Sequence, residues 1–265
     1  MISPLAFVHP DATLGNGVII DPFAVIHENV VIGEGTHIKS NAVVMPFSRI
    51  GRHCQIFPGA VIGAIPQDLK FVGEETTAEI GDYTTIRECV TVHRGTKDKY
   101  KTVVGSHCLL MAYVHVAHDC AVGNHVILAN AVQLAGHVEV GDYAIIGGLA
   151  AANQFTRIGA HTYIGGQSAI RKDVPPYIKS AREPMSYMGL NIVGLQRRAF
   201  SPEKIETINN IYHLLFVSSN SIANGIEKVK DKIPDSEVKQ EILKFVTSSK
   251  TGVIKRNAKF SADED

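Results

Sequence analysis

Residues 25–44, VIHENVVIGEGTHIKSNAVV, carry an aliphatic side chain at every sixth position: Ile26, Ile32, Ile38 and Val44. A helix repeats every 3.6 residues and a plain strand every second residue, so neither yields this period. Extending the step back to Val8 and on to Ile170 visits 28 positions, of which 24 are Ile, Leu or Val. The residue four places after the aliphatic is usually small (Ala24, Ala42, Ser48, Ala60, Ala144), and glycine often follows the aliphatic directly (Gly33, Gly51, Gly105, Gly123).

A six-residue unit with one large and one small inward side chain suits one flat side of a triangular prism, closed by a tight turn. Three units complete a coil, and stacked coils pair as parallel strands about 4.8 Å apart. Residues 18 apart then lie one above another, which turns the sequence into a map. The pattern predicts a mainly β chain, a parallel β-helix built on this hexapeptide repeat over residues 1–185. The step fails at Asp68, Glu74 and Asp98 and resumes in phase each time. The stretches AIPQDLKFVGEETTAE (64–79) and RGTKDKYKT (94–102) are therefore expected as loops extruded from a continuing prism, and long loops on a rigid solenoid are common carriers of function.

The period changes after DVPPY (173–177). In FSPEKIETINNIYHLLF (200–216), Ser201 is an N-cap with Pro202 at the first helical position, and Ile205, Ile208, Ile211, Leu214 and Leu215 form one apolar stripe. Further helices are expected near 221–233 and 235–249, which makes 186–265 a C-terminal α-helical domain ending in a frayed SADED tail.

Lys+Arg and Asp+Glu both number 26, so no net field favours nucleic acid or an anionic membrane. The N-terminus lacks a basic segment followed by an apolar run, and no apolar stretch is long enough to span a bilayer. These features point to a cytoplasmic protein with no integral membrane segment. Cys54, Cys89, Cys108 and Cys120 have no CxxC spacing and are expected as buried free thiols.

Two histidines flank a short stretch in HVAHDC (115–120), where Asp119 directly follows His118. On the 18-residue map His118, Gly136 and Gln154 stack, Asp119 lies beneath His137, and with six residues of the second loop removed His93 falls beside His118. His93, His118, His137 and Gln154 are thus expected on one wall. An alcohol is a poor nucleophile at neutral pH, and a neutral imidazole is matched to take its proton. Asp119 suits the orienter of that imidazole, and Gly136, lacking a side chain, lets a carbonyl approach its backbone N–H. The chemistry suggested is acyl transfer to a hydroxyl. A metal site of His115, His118 and His137 is open on a prism, as in hexapeptide-fold carbonic anhydrases. With no acidic cluster nearby and Asp119 better used as an orienter, the expectation is no metal and no cofactor.

The stretches FVHPDA, PQDLKFVGE, TVHRGT, VAHDC, LAGHVEV, NQFTRIGAH, DVPPY and GLQRRAFS resemble the bacterial UDP-N-acetylglucosamine acyltransferases of lipid A synthesis, over almost the whole chain. The resemblance implies a left-handed prism and a homotrimer with sites between subunits. It implies transfer of a 3-hydroxyacyl chain from acyl carrier protein to the 3-hydroxyl of UDP-N-acetylglucosamine (UDP-GlcNAc), without metal. By resemblance His118 is the general base, Asp119 its orienter and Gly136 the oxyanion donor. His93, His115, His137 and Gln154, with Gln67, Asp68 and Lys70 of the first loop, bind substrate. Asn191, Arg197 and Arg198 match the nucleotide-contacting region, where paired arginines suit phosphate. Gly166 matches the position that gauges acyl length, and a glycine there leaves room for a long tail.

Asn153 stands where this family often has histidine and Val193 where glutamate is common; neither touches the expected base. Three rivals stay open. A related N-acyltransferase carries an extra N-terminal uridine-binding domain, for which a repeat starting at Val8 leaves no room. A metal-dependent carbonic anhydrase loses activity on chelation. A silent trimeric scaffold tolerates loss of His118.

Overall fold

A computed structural model describes residues 1–256. Short strands wind into a three-sided left-handed parallel β-helix. The first face has nine strands, running from Phe7–Val8 through His115–Val116, Gln133–Leu134 and Ala151–Ala152 to Ala169–Ile170. The second face has eight strands, Thr13–Leu14 to Arg157–Ile158, and the third has ten. The third ends in an antiparallel pair, Ile178–Ala181 with Ser186–Leu190. Parallel crossovers are normally right-handed because a helix packs back onto a twisted sheet. Here the connection is two further flat sides and three tight corners with no helix, and the cause of the rule is absent.

Nearly all corners have the same origin. The third residue after the aliphatic adopts positive φ, as at Asn41 (61°), His107 (58°), Tyr143 (60°) and His161 (58°). This left-handed residue closes a two-residue turn between flat sides. Ile26, Val44, Ile62, Val92, Val116 and Leu134 stack inward and are fully buried. Each contributes about 1.5–3 kcal/mol through burial, so Leu134→Ala would cost about 2–5 kcal/mol.

The register follows the 18-residue map, pairing Ile26 with Val44 and Val116 with Leu134. Ile50 instead pairs with Ile80 and Ile80 with Val104, so the two extruded segments add residues without breaking the ladder. Strands extend to Ala64 and from Thr77 around the first loop, and from Lys101 after the second, leaving 65–76 and 94–100 outside the ladder. Gly63, at φ +82°, makes the bulge from which the first loop leaves; a Cβ there would lie 2.1 Å from Ser48 Oγ.

Cys54, Cys108 and Cys120 fill small inward positions, and burial pushes the Cys108 thiol up to about 11. Cys89 departs from expectation and is exposed. It is a corner residue with φ 57°, not an inward one.

Among the described residues four α-helices follow: α1 Ile192–Arg197, α2 Pro202–Tyr212, α3 Ile222–Lys232 and α4 Glu237–Thr247. Ser201 Oγ accepts from Lys204 N at 3.2 Å, so the expected cap of α2 is present. The apolar stripe runs past α2 into a π-helical turn, His213–Val217, which keeps Leu215 and Phe216 buried. Gly225 of α3 lets that turn approach; a Cβ there would lie 2.8 Å from Leu215 Cα.

A buried clasp ties these helices to the prism. Arg157 Nε donates to Asp173 Oδ2 (3.0 Å), Arg157 Nη2 donates to Phe245 O of α4 (3.0 Å), and Thr251 Oγ1 donates to Asp173 Oδ1 (2.7 Å). Among the described residues no helix is long and apolar enough to cross a membrane. The SADED tail lies outside the described residues.

Candidate active site

The HVAHDC segment turns the corner between the first and second faces. Along an extended strand neighbouring side chains point to opposite sides. Asp119 instead adopts φ +59°, the left-handed corner conformation, and its carboxylate meets the adjacent imidazole. His118 Nδ1 lies 2.9 Å from Asp119 Oδ2. An ionised carboxylate only accepts, so Nδ1 carries the hydrogen and Nε2 keeps its lone pair. Burial works to raise the Asp119 pKa, but hydrogen bonds from Thr96 and His118 outweigh it and hold the carboxyl below its ordinary range.

His118 opens onto a cavity of about 720 Å³ on the first face. His118, Gly136 and Gln154 line it from successive coils, with His93 and His115 beside them and Gln67, Asp68 and Lys70 reaching over from the first loop. A Cβ on Gly136 would stand 2.5 Å from His118 Cε1 and 2.6 Å from Nε2, so the basic nitrogen faces the space that glycine leaves open. Among the described residues the Gly136 N–H has no hydrogen-bond acceptor. A lone pair and a free amide therefore border one cavity, the arrangement needed to deprotonate an alcohol beside a carbonyl that is gaining charge.

The neighbouring imidazoles are kept neutral. Burial, then His115 and His118, lowers the His93 pKa to about 4. Burial and His118 lower that of His115. Thr91 Oγ1 lies 2.7 Å from His115 Nδ1, and the His93 and His115 rings meet edge to face at 4.7 Å. Neutral rings can donate to or accept from sugar hydroxyls without adding charge next to the base.

Some expected residues stand elsewhere. His137 does not line the cavity wall: it stacks on Phe155 at 4.5 Å and meets the His118 ring edge-on at 5.1 Å, and its nitrogens face Asp98 (3.3 Å) and Asp119 (3.7 Å). As the left-handed corner residue it turns beside the dyad. Asn191, Arg197, Arg198 and Gly166 are also away from this cavity. Asn191 caps α1 through Gly194 N and donates to His161 O at 2.9 Å. Arg198 donates to Tyr143 O at 3.1 Å, on the corner between the second and third faces, and Arg197 is exposed. Asn153 and Val193 are both exposed and touch neither His118 nor Asp119.

Sequence reasoning missed Thr96 and Lys99 of the second loop, which donate to Asp119, and Glu74, which joins the two loops. Thr96 lies in the TVHRGT stretch, but no periodicity extends into an extruded loop to give its position. Ligand atoms of His118, Asp119 and His137 lie within 4.8 Å of one another, close enough to share a cation. The Asp119 oxygens already accept four hydrogen bonds, so a cation would have to displace donors.

The chain resembles known proteins along nearly its full length. The family described as UDP N-acetylglucosamine O-acyltransferase, domain 2, matches residues 173–254, and the bacterial transferase hexapeptide family matches 11–46, 29–64 and 101–132. An acyl-(acyl-carrier-protein)–UDP-N-acetylglucosamine O-acyltransferase of Chlorobaculum parvum is 59% identical over 252 residues, 95% of this chain and 96% of that one. Solved structures of UDP-N-acetylglucosamine acyltransferases are also similar. That from Bacteroides fragilis has a TM-score of 0.95 at 49% identity, covering 96% of this chain and all of that one. The LpxA structure from Acinetobacter baumannii has a TM-score of 0.92 at 40% identity, covering 96% and 99%.

Proposed function

The chain belongs to the UDP-N-acetylglucosamine O-acyltransferase family, and from that premise we propose that it moves a 3-hydroxyacyl group from acyl carrier protein to the 3-hydroxyl of UDP-GlcNAc, the first step of lipid A biosynthesis. The observation that carries the assignment of roles is the His118–Asp119 pair, with Nε2 facing the gap above Gly136.

His118 Nε2 takes the proton from the sugar hydroxyl as its oxygen attacks the thioester carbonyl. The tetrahedral oxyanion is held by the Gly136 N–H. The C–S bond then breaks, and the imidazolium returns the proton to the departing pantetheine thiolate, leaving an ester and a free thiol. Asp119 holds the useful tautomer and stabilises the imidazolium. A positioned base contributes about 10²–10⁴ in rate and an oxyanion donor about 10²–10³. Gln67, Asp68, Lys70, His93, His115 and Gln154 bind the sugar and acyl groups, and His137 acts from beside the dyad. No step requires a metal.

Asn191, Arg197 and Arg198 are proposed to reach the nucleotide of a neighbouring copy. His118 lies on the corner between the first and second faces and Arg198 against the next corner, so one chain does not present both to one small substrate. A homotrimer with sites between subunits supplies the second half. Arg171 and Lys172, one coil beyond Asn153 and Gln154, join Lys255 and Arg256 around a cavity of about 350 Å³, and we assign acidic carrier protein to this basic end. Gly166, where a Cβ would meet Gly148 O of the adjacent coil at 3.0 Å, is proposed as the position that limits acyl length. A reaction between a nucleotide sugar and a carrier-bound acyl chain assigns the protein to the cytoplasm.

The test is turnover of UDP-GlcNAc with 3-hydroxyacyl carrier protein by wild type, His118→Ala and EDTA-treated enzyme. Wild type and chelated enzyme are expected to turn over equally, and His118→Ala to lose about 10²–10⁴ in kcat. Full activity in His118→Ala removes the general-base reading; loss on chelation overturns the metal-free one.

A further inference from the structure

Asp119 is fully buried, and its carboxylate accepts four hydrogen bonds. Oδ1 accepts from Thr96 N (3.0 Å) and Lys99 N (3.2 Å); Oδ2 accepts from Thr96 Oγ1 (2.6 Å) and His118 Nδ1 (2.9 Å). Three of these donors belong to the second extruded loop. The Asp119 N–H donates in turn to Thr102 Oγ1 at 2.8 Å, at the far end of that loop. The segment that interrupts the repeat is therefore wrapped around the carboxylate that orients the proposed base.

We infer that Thr96 is a positioning residue for the His118–Asp119 pair: its hydroxyl and amide grip the two carboxylate oxygens and fix the plane of the group, so that Oδ2 faces His118 Nδ1. The inference rests on His118 acting as the base. The grip is needed because Oδ2 has a competitor. His137 Nε2 stands 3.7 Å from it, and the His137 and His118 rings are perpendicular neighbours. A carboxylate relieved of the Thr96 hydroxyl turns toward His137, and His118 is no longer held with its hydrogen on Nδ1. Nε2 is then the protonated nitrogen part of the time and cannot accept a proton from the substrate. Thr96 does not line the substrate cavity, so its removal acts on the chemical step rather than on binding.

The experiment compares Thr96→Val, Thr96→Ser, His118→Ala and wild type by steady-state kinetics, with the His118 ring tautomer read by nitrogen NMR. Thr96→Val keeps the backbone amide and deletes the hydroxyl. It is expected to lower kcat about 10- to 100-fold, the range of a hydrogen bond to a charged group, with KM for both substrates unchanged. Its spectrum should mix tautomers where the wild type shows Nδ1 protonated. Thr96→Ser restores the hydroxyl and is expected to recover most of kcat and the wild-type spectrum. Thr96→Ala repeats the deletion if valine folds poorly.

Wild-type kcat in the hydroxyl-deleted variants overturns the inference. So does an equal loss in Thr96→Ser, and so does a wild-type spectrum with Nε2 protonated. Undiminished activity in His118→Ala is a separate failure, that of the general-base reading itself.

Discussion

Gly136 lies one coil from His118, and a Cβ on it would stand 2.6 Å from His118 Nε2. The glycine is required by the ring facing it and not by its own backbone, which does not adopt positive φ. Gly136→Ala is therefore expected to fold with a melting temperature near wild type while the methyl group pushes the imidazole aside and fills the carbonyl site. A loss of about 10²-fold or more in kcat is expected, measured together with thermal unfolding. An alanine variant with normal kcat would show that nothing approaches this amide during turnover.

Glu74 connects the two loops. Its Oε1 accepts from Lys97 N at 3.0 Å and its Oε2 from Val72 N at 2.9 Å, while Arg94 lies 5.2 Å from the ring centres of both Phe47 on the prism and Phe71 on the first loop. Glu74→Ala loosens the segment carrying Gln67, Asp68 and Lys70 but leaves the dyad intact. KM for the sugar nucleotide should rise about 3- to 10-fold, equivalent to one ordinary hydrogen bond, with kcat unchanged. A fall in kcat at constant KM contradicts the separation of the two loops' roles.

Acid sensitivity follows from one buried and one half-buried imidazole. Burial lowers the pKa of His93 and of His161 to about 4, against an ordinary value of 6.5. Between those values the unfolded chain binds protons that the fold refuses, so stability decreases as pH falls through this window and is complete above it. His161 is stacked between Tyr143 (4.9 Å) and Tyr177 (5.5 Å), and Phe155 shows that phenylalanine accepts the same left-handed corner. His161→Phe keeps the stack and removes one titration. The difference in melting temperature between about pH 7.5 and about pH 5 should shrink. If it does not, His161 does not contribute to the acid sensitivity.

The clasp at the end of the prism sets the stability of the helical region. Asp173 is 1% exposed and Arg157 is its cationic partner. Arg157→Leu leaves that carboxylate buried without its counterion, a change worth about 3–5 kcal/mol. Urea unfolding measures the loss, and amide exchange should rise in α4 ahead of the prism coils. A loss below about 0.5 kcal/mol, as for a surface pair, rules out the clasp as the main tie.

The coil architecture was legible in the chain because an inward aliphatic must recur wherever a flat side meets the core; Ile26, Val44 and Leu134 fall where the six-residue step put them. The same arithmetic stacked His118, Gly136 and Gln154 and brought His93 alongside, since parallel coils in register convert sequence separation into distance. The period is silent on the direction of a corner side chain. The step places His137 on the wall, but its left-handed backbone turns it beside the dyad; composition alone suggests that Cys89 is a buried thiol, but the same kind of corner exposes it. Extruded loops obey no period at all, so Thr96 and Lys99 reach Asp119, and Glu74 reaches Lys97 of the other loop, through folds of the chain that only three-dimensional packing decides. Repetition determined what lies above what; the turns and loops, closed by individual hydrogen bonds, decided which groups touch.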